Sequence, residues 1–376
     1  MIEKMKEKIS KIREPRRTDK GNFSYKLEEI IIIGICSIIS NGTDYEDMEI
    51  FGKANEEWLK EKLGLELRNG IPRKITFERV YEALKPEELS EYLTECIEVK
   101  RERREVTPID GKTLKGSRNG KKEALHVVSV WASESQLTLG EIAVSEKSNE
   151  IEAVKEVLEI VELKGNIVTT DAMNCQKEIT KKITEQEADY VLTLKGNHEI
   201  LHRTVEEYFM YNPTSAKCSN KLTSDKGHGR EEQREYWLES DIKFLSDVPE
   251  IELWNNLKSV GMVKTVVEKQ GKTSFEIRYF ITSLTDINEF AHAVRQHWSI
   301  ENQLHWRLDV IFREDASKVK KGNAPMNLHI LRAKSVCLLK NANMTRKLSM
   351  PKRRYLASLN TDVLEIILLD SNRAKS

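Results

Sequence analysis

Between Val106 and Lys195 the apolar residues fall into short runs interrupted by two stretches of helical period, and this order does most to limit the fold. VTPID, LHVVSVWA and QLTLGEIAV read as strands, the last two as a hairpin-like meander. Ile151, Val154, Val157, Leu158 and Val161 then recur at helical spacing across Asn149–Val161. IVTTD follows as a strand, Cys175–Thr184 as a helix and YVLTLK as a further strand. Neither IVTTD nor YVLTLK alternates as a half-exposed strand does, so both are expected centrally in a sheet flanked by helices. The order βββαβαβ predicts an α/β layered core.

The flanks differ from this middle. Residues 1–100 carry helical periods: the apolar run Ile30–Ile39, a turn at Asn41-Gly42, MEIFGKANEEWLKEKLGL, a break at Asn69-Gly70-Ile71-Pro72, and ITFERVYEALKPEELSEYL. They are expected to form a separate helical module that contacts DNA or a partner, or serves as scaffold. Residues 101–197 hold the first part of the core. Residues 198–287, with SVGMVKTVVEK and TSFEIRYFITSL, read as an inserted β-rich subdomain, and residues 288–376 as a long helix over Asn288–Phe312 followed by a basic C-terminal region.

Several classes are set aside by composition. Ile30–Ile39 is about half of the roughly 20 apolar residues that a membrane-spanning helix needs. The N-terminus MIEKMKEKISKIREPRRTDK has no apolar segment before a cleavage site, so a cytoplasmic protein with no membrane partner is expected. Five scattered cysteines without a CxxC pair support neither a disulfide framework nor a cysteine zinc site. Lys+Arg and Asp+Glu are equal at 61 each, but their distribution is uneven. From Ala316 to Asn360 there is no acid, while eleven lysines and arginines, Lys320 and Lys321 among them, form a strip. It would suit phosphates, or be an ordinary solvated face.

Asp110 ends the first strand in IDGKT and Asp171 ends a later one in TTDAM. Carboxyl ends of strands in open α/β sheets gather ligands, and two carboxylates there can share Mg²⁺. Each is also an ordinary turn or cap residue. Glu301 lies in RQHWSIENQLHWRLDVIFRED, where an α-helical period puts His297, Glu301 and His305 on one face beside an apolar stripe of Ile300, Leu304 and Leu308. That face suits a buttressed functional helix, zinc ligation without the HExxH pattern, or a solvated stripe. Lys112, Lys115 and Lys195 follow strand ends and are candidates to clamp phosphate. Arg295 and His297 are candidates on the helix to offer positive charge or a hydrogen bond. Trp298 is set to stack on a base or to pack with Trp306 in the core, and His228 and Arg230 in KGHGR sit in a glycine-flanked loop.

From about Leu27 to the C-terminus the chain resembles the bacterial DDE insertion-sequence transposases, in the group that includes the H-repeat-associated proteins. The motifs that carry the resemblance are IIIIGICSIISNGTDYEDMEIFGKANEEWL, IDGKTLKGS, EKSNEI, IVTTDAMNCQKEI, YVLTLKGNH, KGHGR, HWSIENQLHWRLDVIFREDAS and KGNAPMNLHILR, in this order. The resemblance implies a ribonuclease H-like core with a catalytic acid triad on Asp110, Asp171 and Glu301. It also implies two Mg²⁺ ions, or Mn²⁺ in their place, double-stranded DNA as transposon ends and target, and a homo-oligomer assembled on DNA. The acids are 61 and 130 residues apart, which leaves room for the strands of the core and then for the β-rich insertion. Relatives carry Tyr, Arg and Lys where this chain has Val294, His297 and Leu308, with Arg295 a candidate replacement for the guanidinium. Asn174 and Ser145 stand where glycine and aspartate are expected. A catalytically silent DNA-binding descendant and a nuclease without strand transfer are the alternatives.

Overall fold

Periodicity accounts for most element boundaries. The computed structural model describes residues 2–16, 24–97, 104–120, 123–144, 149–212, 218–227 and 230–369. The chain opens with helices α1 (Ile2–Ile9), α2 (Leu27–Ile39), α3 (Tyr45–Ala54), α4 (Glu56–Glu61), α5 (Lys74–Ala83) and α6 (Pro86–Cys96). Then come β1 (Val106–Leu114), β2 (Leu125–Ala132), β3 (Leu137–Val144), α7 (Glu150–Ile160), β4 (Ile167–Thr170), α8 (Lys177–Glu185) and β5 (Asp189–Leu194), which is the expected βββαβαβ order. The next elements are α9 (Glu199–Tyr211), β6 (Cys218–Gly227), β7 (Arg230–Glu239), β8 (Ser259–Lys269), β9 (Lys272–Thr282) and α10 (Ile287–His297). Two π-helical stretches, Ile300–His305 and Arg307–Ile311, precede α11 (Ala324–Asn341), α12 (Met350–Leu359) and α13 (Thr361–Leu369). Among the described residues no helix is long and apolar enough to cross a membrane.

The chain divides into two compact units, each assembled from separate stretches of sequence. One contains residues 1–102, 111–149 and 301–376, and the other residues 103–110 and 150–300. These divisions cut across those suggested by the changes in sequence character.

In the unit of residues 103–110 and 150–300 the strands run in the order β1-β4-β5-β9-β8-β7-β6. β1, β4 and β5 are parallel and the others antiparallel, so the sheet is mixed. All four residues of β4 are buried, as its unbroken apolar and threonine run requires of a central strand. Helix α10 packs on β4, β5, β6 and β7, with Phe290 in a core of Val191, Tyr236, Val263 and Phe280. Residues 198–287 differ from the expected inserted subdomain in two ways. They begin with a thirteen-residue helix, α9, and β9 pairs with β5 from Val191↔Thr282 to Leu194↔Tyr279, so β6–β9 extend the same sheet. An open edge on β5 is a template for any strand that follows it.

Gly261 in β8 fits under Phe290: a Cβ built there would lie 2.3 Å from the ring's Cζ. Phe290 is fully buried and has nowhere to withdraw. Gly261→Val is expected to destabilise the protein by about 1–3 kcal/mol through overpacking. Urea denaturation would read this as a lower midpoint at an unchanged slope.

In the unit of residues 1–102, 111–149 and 301–376, α11 packs against α2, α5, α6 and the β2–β3 hairpin. Its residues Ala324–Leu339 are buried throughout, so it has no solvent face to advertise itself by amphipathic period. Apart from Glu28, α2 is buried likewise. The N-terminal helices are therefore part of a unit completed by the C-terminal helices.

Candidate active site

In the β1–β4 ladder Val106↔Ile167 through Ile109↔Thr170 run in parallel register. The residues that follow this last pair are Asp110 and Asp171: Asp171 comes directly after β4, as expected, whereas Asp110 lies inside β1, which runs on to Leu114 and so does not end there as its sequence suggested. Neighbouring strands are about 4.8 Å apart. Asp110 is half-buried and Asp171 exposed. Oδ1 of Asp171 accepts from the backbone N–H of Asn174 at 3.4 Å and from its Nδ2 at 3.3 Å.

The other candidates in this unit have varied surroundings. On α10, His297 Nδ1 is 3.0 Å from Thr169 Oγ1, two residues before Asp171 in sequence. Burial, reinforced by the Arg278 guanidinium, pushes the imidazole down to about 4. It is neutral at pH 7 and supplies no positive charge to a phosphate, contrary to one role expected of it. The face of Trp298 is covered by the Arg278 guanidinium, 4.6 Å from the ring centroid, so that face is not open to a base. Arg295 is exposed, with Asp225 at 3.3 Å, and Arg230 is exposed and paired with Glu232 at 2.7 Å. Lys195 is exposed directly after β5. His228 lies outside the described residues, as does Ser145.

Glu301 belongs to the other unit and is exposed in the first π-helical stretch. The expected α-helical continuation through Phe312 does not form. π winding bonds i to i+5, which moves side chains off the i, i+4 stripe. Glu301 is exposed while His305 is buried, with its imidazole pushed down to about 3 by burial and then by Lys112. Glu301 and His305 thus do not share the face predicted for them.

Lys112 is also not the open phosphate clamp suggested by its position. It is 7% exposed and its Nζ lies 2.6 Å from Asp309, 3.4 Å from Glu314 and 3.6 Å from Asp315. Burial opposes its charge, but the three carboxylates outweigh burial and raise its pKa. Lys115 is exposed and pairs with Asp315 at 2.7 Å. Gly116, directly after Lys115, permits a close approach: a Cβ there would lie 2.0 Å from the Ser317 carbonyl oxygen. Lys320 is exposed, and Lys321 is exposed with Glu78 at 3.3 Å and Glu82 at 3.7 Å.

The C-terminal basic strip is not continuous. Arg332, Lys334 and Arg354 are buried, and the first two join a charge network absent from the sequence reading. His329 lies between two buried carboxylates, with Nε2 3.2 Å from Glu141 and Nδ1 3.0 Å from Glu314. Lys334 donates to the Thr138 carbonyl at 2.8 Å and lies 3.6 Å from Glu141, while Ser90 Oγ donates to Glu141 at 3.2 Å. Arg332 is 3.7 Å from Glu314. One signal was available: Glu141 interrupts the apolar strand QLTLGEIAV, where a charge needs a partner.

Asp110 and Asp171 offer the oxygen donors that Mg²⁺ or Mn²⁺ takes, and each follows a residue of the pair Ile109↔Thr170 on adjacent parallel strands, so the two fit a divalent cation in chemistry. Among the described residues no group of three or more His, Cys, Asp or Glu is gathered closely enough to hold a metal.

A mixed α/β protein with aspartates on two adjacent parallel strands, one within β1 and one directly after β4, is the class these features define. The chain matches the family model described as transposase DDE domain over residues 101–338, and one described as DDE_Tnp_1-associated over residues 6–96. It belongs to the transposase DDE domain family. It is 36% identical over 365 residues to transposase YncI of Escherichia coli O157:H7, covering 94% of this chain and 92% of that protein. Its identity to the H repeat-associated transposase YhhI of Escherichia coli strain K12 is 35% over 382 residues, covering 95% of this chain and 98% of YhhI. Both relatives' names are provisional. A solved structure of the piggyBac transposase synaptic complex with hairpin DNA aligns over all of this chain and 80% of that one, with 11% identity and a TM-score of 0.44. So distant a likeness carries no weight here.

Proposed function

We propose that this chain is an active transposase that cleaves DNA at the ends of an insertion sequence and transfers the freed 3′ ends to target DNA. Asp110, Asp171 and Glu301 are its catalytic, metal-holding acids in this reading. The observation that supports it most is the parallel register of β1 on β4, in which Ile109 and Thr170, the residues before Asp110 and Asp171, lie opposite each other near the carboxyl end of β4, where a sheet of this kind gathers its ligands. When bound, two Mg²⁺ ions, or Mn²⁺, supply activation of the attacking hydroxyl and stabilisation of the leaving oxygen.

The protein's own task is to hold the scissile phosphate in line and to limit its repulsion from the acids. Lys195 is the strand-end lysine suited to meet a phosphate, because Lys112 and Lys115 are occupied by acids. Lys320, exposed after the second π-helical stretch, is a further candidate for the DNA backbone. Synapsis of two ends requires more than one copy of the chain on DNA, and the setting proposed is the cytoplasm.

The test is an assay with purified full-length protein, Mg²⁺ and DNA bearing the sequences that flank its gene. Expected products are nicked 3′ ends and joined target DNA, both lost with EDTA and regained on adding Mg²⁺. Glu301→Gln is expected to lose both products while retaining DNA in a mobility-shift assay. Nicks without joined products would identify a nuclease, and retention without nicks a silent DNA-binding protein.

A further inference from the structure

Asn174, one of the residues that departs from the group's expected pattern, touches Asp171 and also reaches a second acid. Its Nδ2 carries two hydrogens and has two carboxylate neighbours, Glu150 Oε1 at 2.9 Å and Asp171 Oδ1 at 3.3 Å. Its backbone N–H, 3.4 Å from the same Oδ1, adds a weaker contact. Asn174 is 1% exposed and Glu150 3%, so the amide is fixed inside the protein while the aspartate it holds is exposed. Turning the amide over would set its oxygen against both carboxylates, so these two acids choose its orientation. Its Oδ1 has no protein partner in that orientation.

We propose that Asn174 is a positioning residue for Asp171, anchored by Glu150, that engages Oδ1 and thereby presents Oδ2 to the divalent cation. The inference rests on the reading of Asp171 as a metal-holding acid. A neutral amide is suited to this task. It fixes the carboxylate without neutralising it, and it keeps the Glu150 carboxylate occupied inside the protein. A lysine at the same place would compete with the cation for charge. Outer partners of this kind typically change metal affinity by about 10–100-fold when removed.

The test measures Mn²⁺ binding to the full-length, DNA-free protein by electron paramagnetic resonance, with thermal melting in EDTA as the control for folding. Asn174→Ala is expected to weaken Mn²⁺ binding by about 10-fold or more. Asn174→Gly, which a turn accommodates, is a second variant with the same expectation should the alanine fold poorly. Glu150→Gln keeps an oxygen acceptor for the amide and is expected to bind Mn²⁺ within about threefold of wild type. Asp171→Asn is expected to abolish binding.

If Asp171→Asn abolishes binding but folded Asn174→Ala and Asn174→Gly bind Mn²⁺ as the wild type does, the positioning role is overturned and the site stands. If Glu150→Gln loses binding as completely as Asp171→Asn, Glu150 is a ligand, which also overturns it. Wild-type binding unaffected by Asp171→Asn would overturn the site and the positioning role together.

Discussion

Asp110→Asn is expected to lower the rate of Mg²⁺-dependent DNA cleavage by about 1,000-fold or more, equivalent to roughly 4 kcal/mol of transition-state stabilisation, without lowering thermal stability in EDTA. The two parts of this expectation have one cause. Asp110 and Asp171 follow Ile109 and Thr170, which pair in the parallel β1–β4 ladder, and a neutral isostere at Asp110 keeps the shape of the side chain while removing the charge that would hold the cation. A ligand that binds only the folded state raises stability in proportion to its occupancy. Saturating Mn²⁺ should therefore raise the melting temperature of the wild type and leave that of Asp110→Asn in place. Paired melting curves with EDTA and Mn²⁺ read this directly, and an Mn²⁺-induced shift of wild-type size in the variant would remove Asp110 from the site.

The second large effect lies in the unit that contains the β2–β3 hairpin. Glu141→Ala is expected to cost about 3–5 kcal/mol, because it leaves Lys334 and His329 buried beside an empty position. Replacing the pair, Glu141→Leu with Lys334→Met, should recover part of that loss, since the buried ammonium is then removed and His329 keeps Glu314 as its carboxylate partner. A double-mutant cycle by urea denaturation measures the recovery.

His329 gives the same network a pH signature. Burial pulls its pKa down, but Glu314 and Glu141 outweigh burial and raise it to about 9 from 6.5. The proton is held more tightly in the folded state, so the contribution, on the order of 3 kcal/mol, is complete below pH 6.5 and lost as pH rises through about 9. Glu314 behaves oppositely. Burial raises its pKa, but His329, Arg332 and Lys112 prevail and lower it to about 2 from 4.5, so its contribution is present above pH 4.5 and lost as pH falls towards 2. His329→Gln should flatten the decline in stability between pH 6.5 and 9, and an unchanged slope would show that another group sets it.

How much of this was legible in the sequence depended on the range of the interactions. The βββαβαβ order followed from local period, and Asp171 was legible as a strand end, whereas Asp110 lies inside β1, whose continuation through Gly111 to Leu114 the sequence read as a loop. The attachment of β9 to β5 did not, because Val191 and Thr282 meet through a pairing that no local pattern encodes. An α-helical template also failed after Ser299. Its apolar residues Ile300, Leu304 and Leu308 are spaced for an α-helix, yet the backbone is π-wound there. Composition misjudged the basic strip for a related reason. A run of cations does not tell exposed Lys320 from buried Lys334, whose partners Glu141 and Thr138 are nearly two hundred residues earlier. Asn174 was visible as an unexpected residue, but its bonds to Glu150 and Asp171 belong to the tertiary structure.

The assembly of α2 with α11 has a consequence for synthesis. Helix α2, LEEIIIIGICSII, leaves the ribosome well before the helix that covers it, which starts only at Ala324. At roughly 5–20 residues per second, tens of seconds separate the two. For that interval the nascent chain carries a strongly apolar helix without its final cover, and a chain stalled before Ala324 carries it for good. Translation through α11 is thus a condition for covering α2, and chains truncated before it are natural clients for chaperones and proteases.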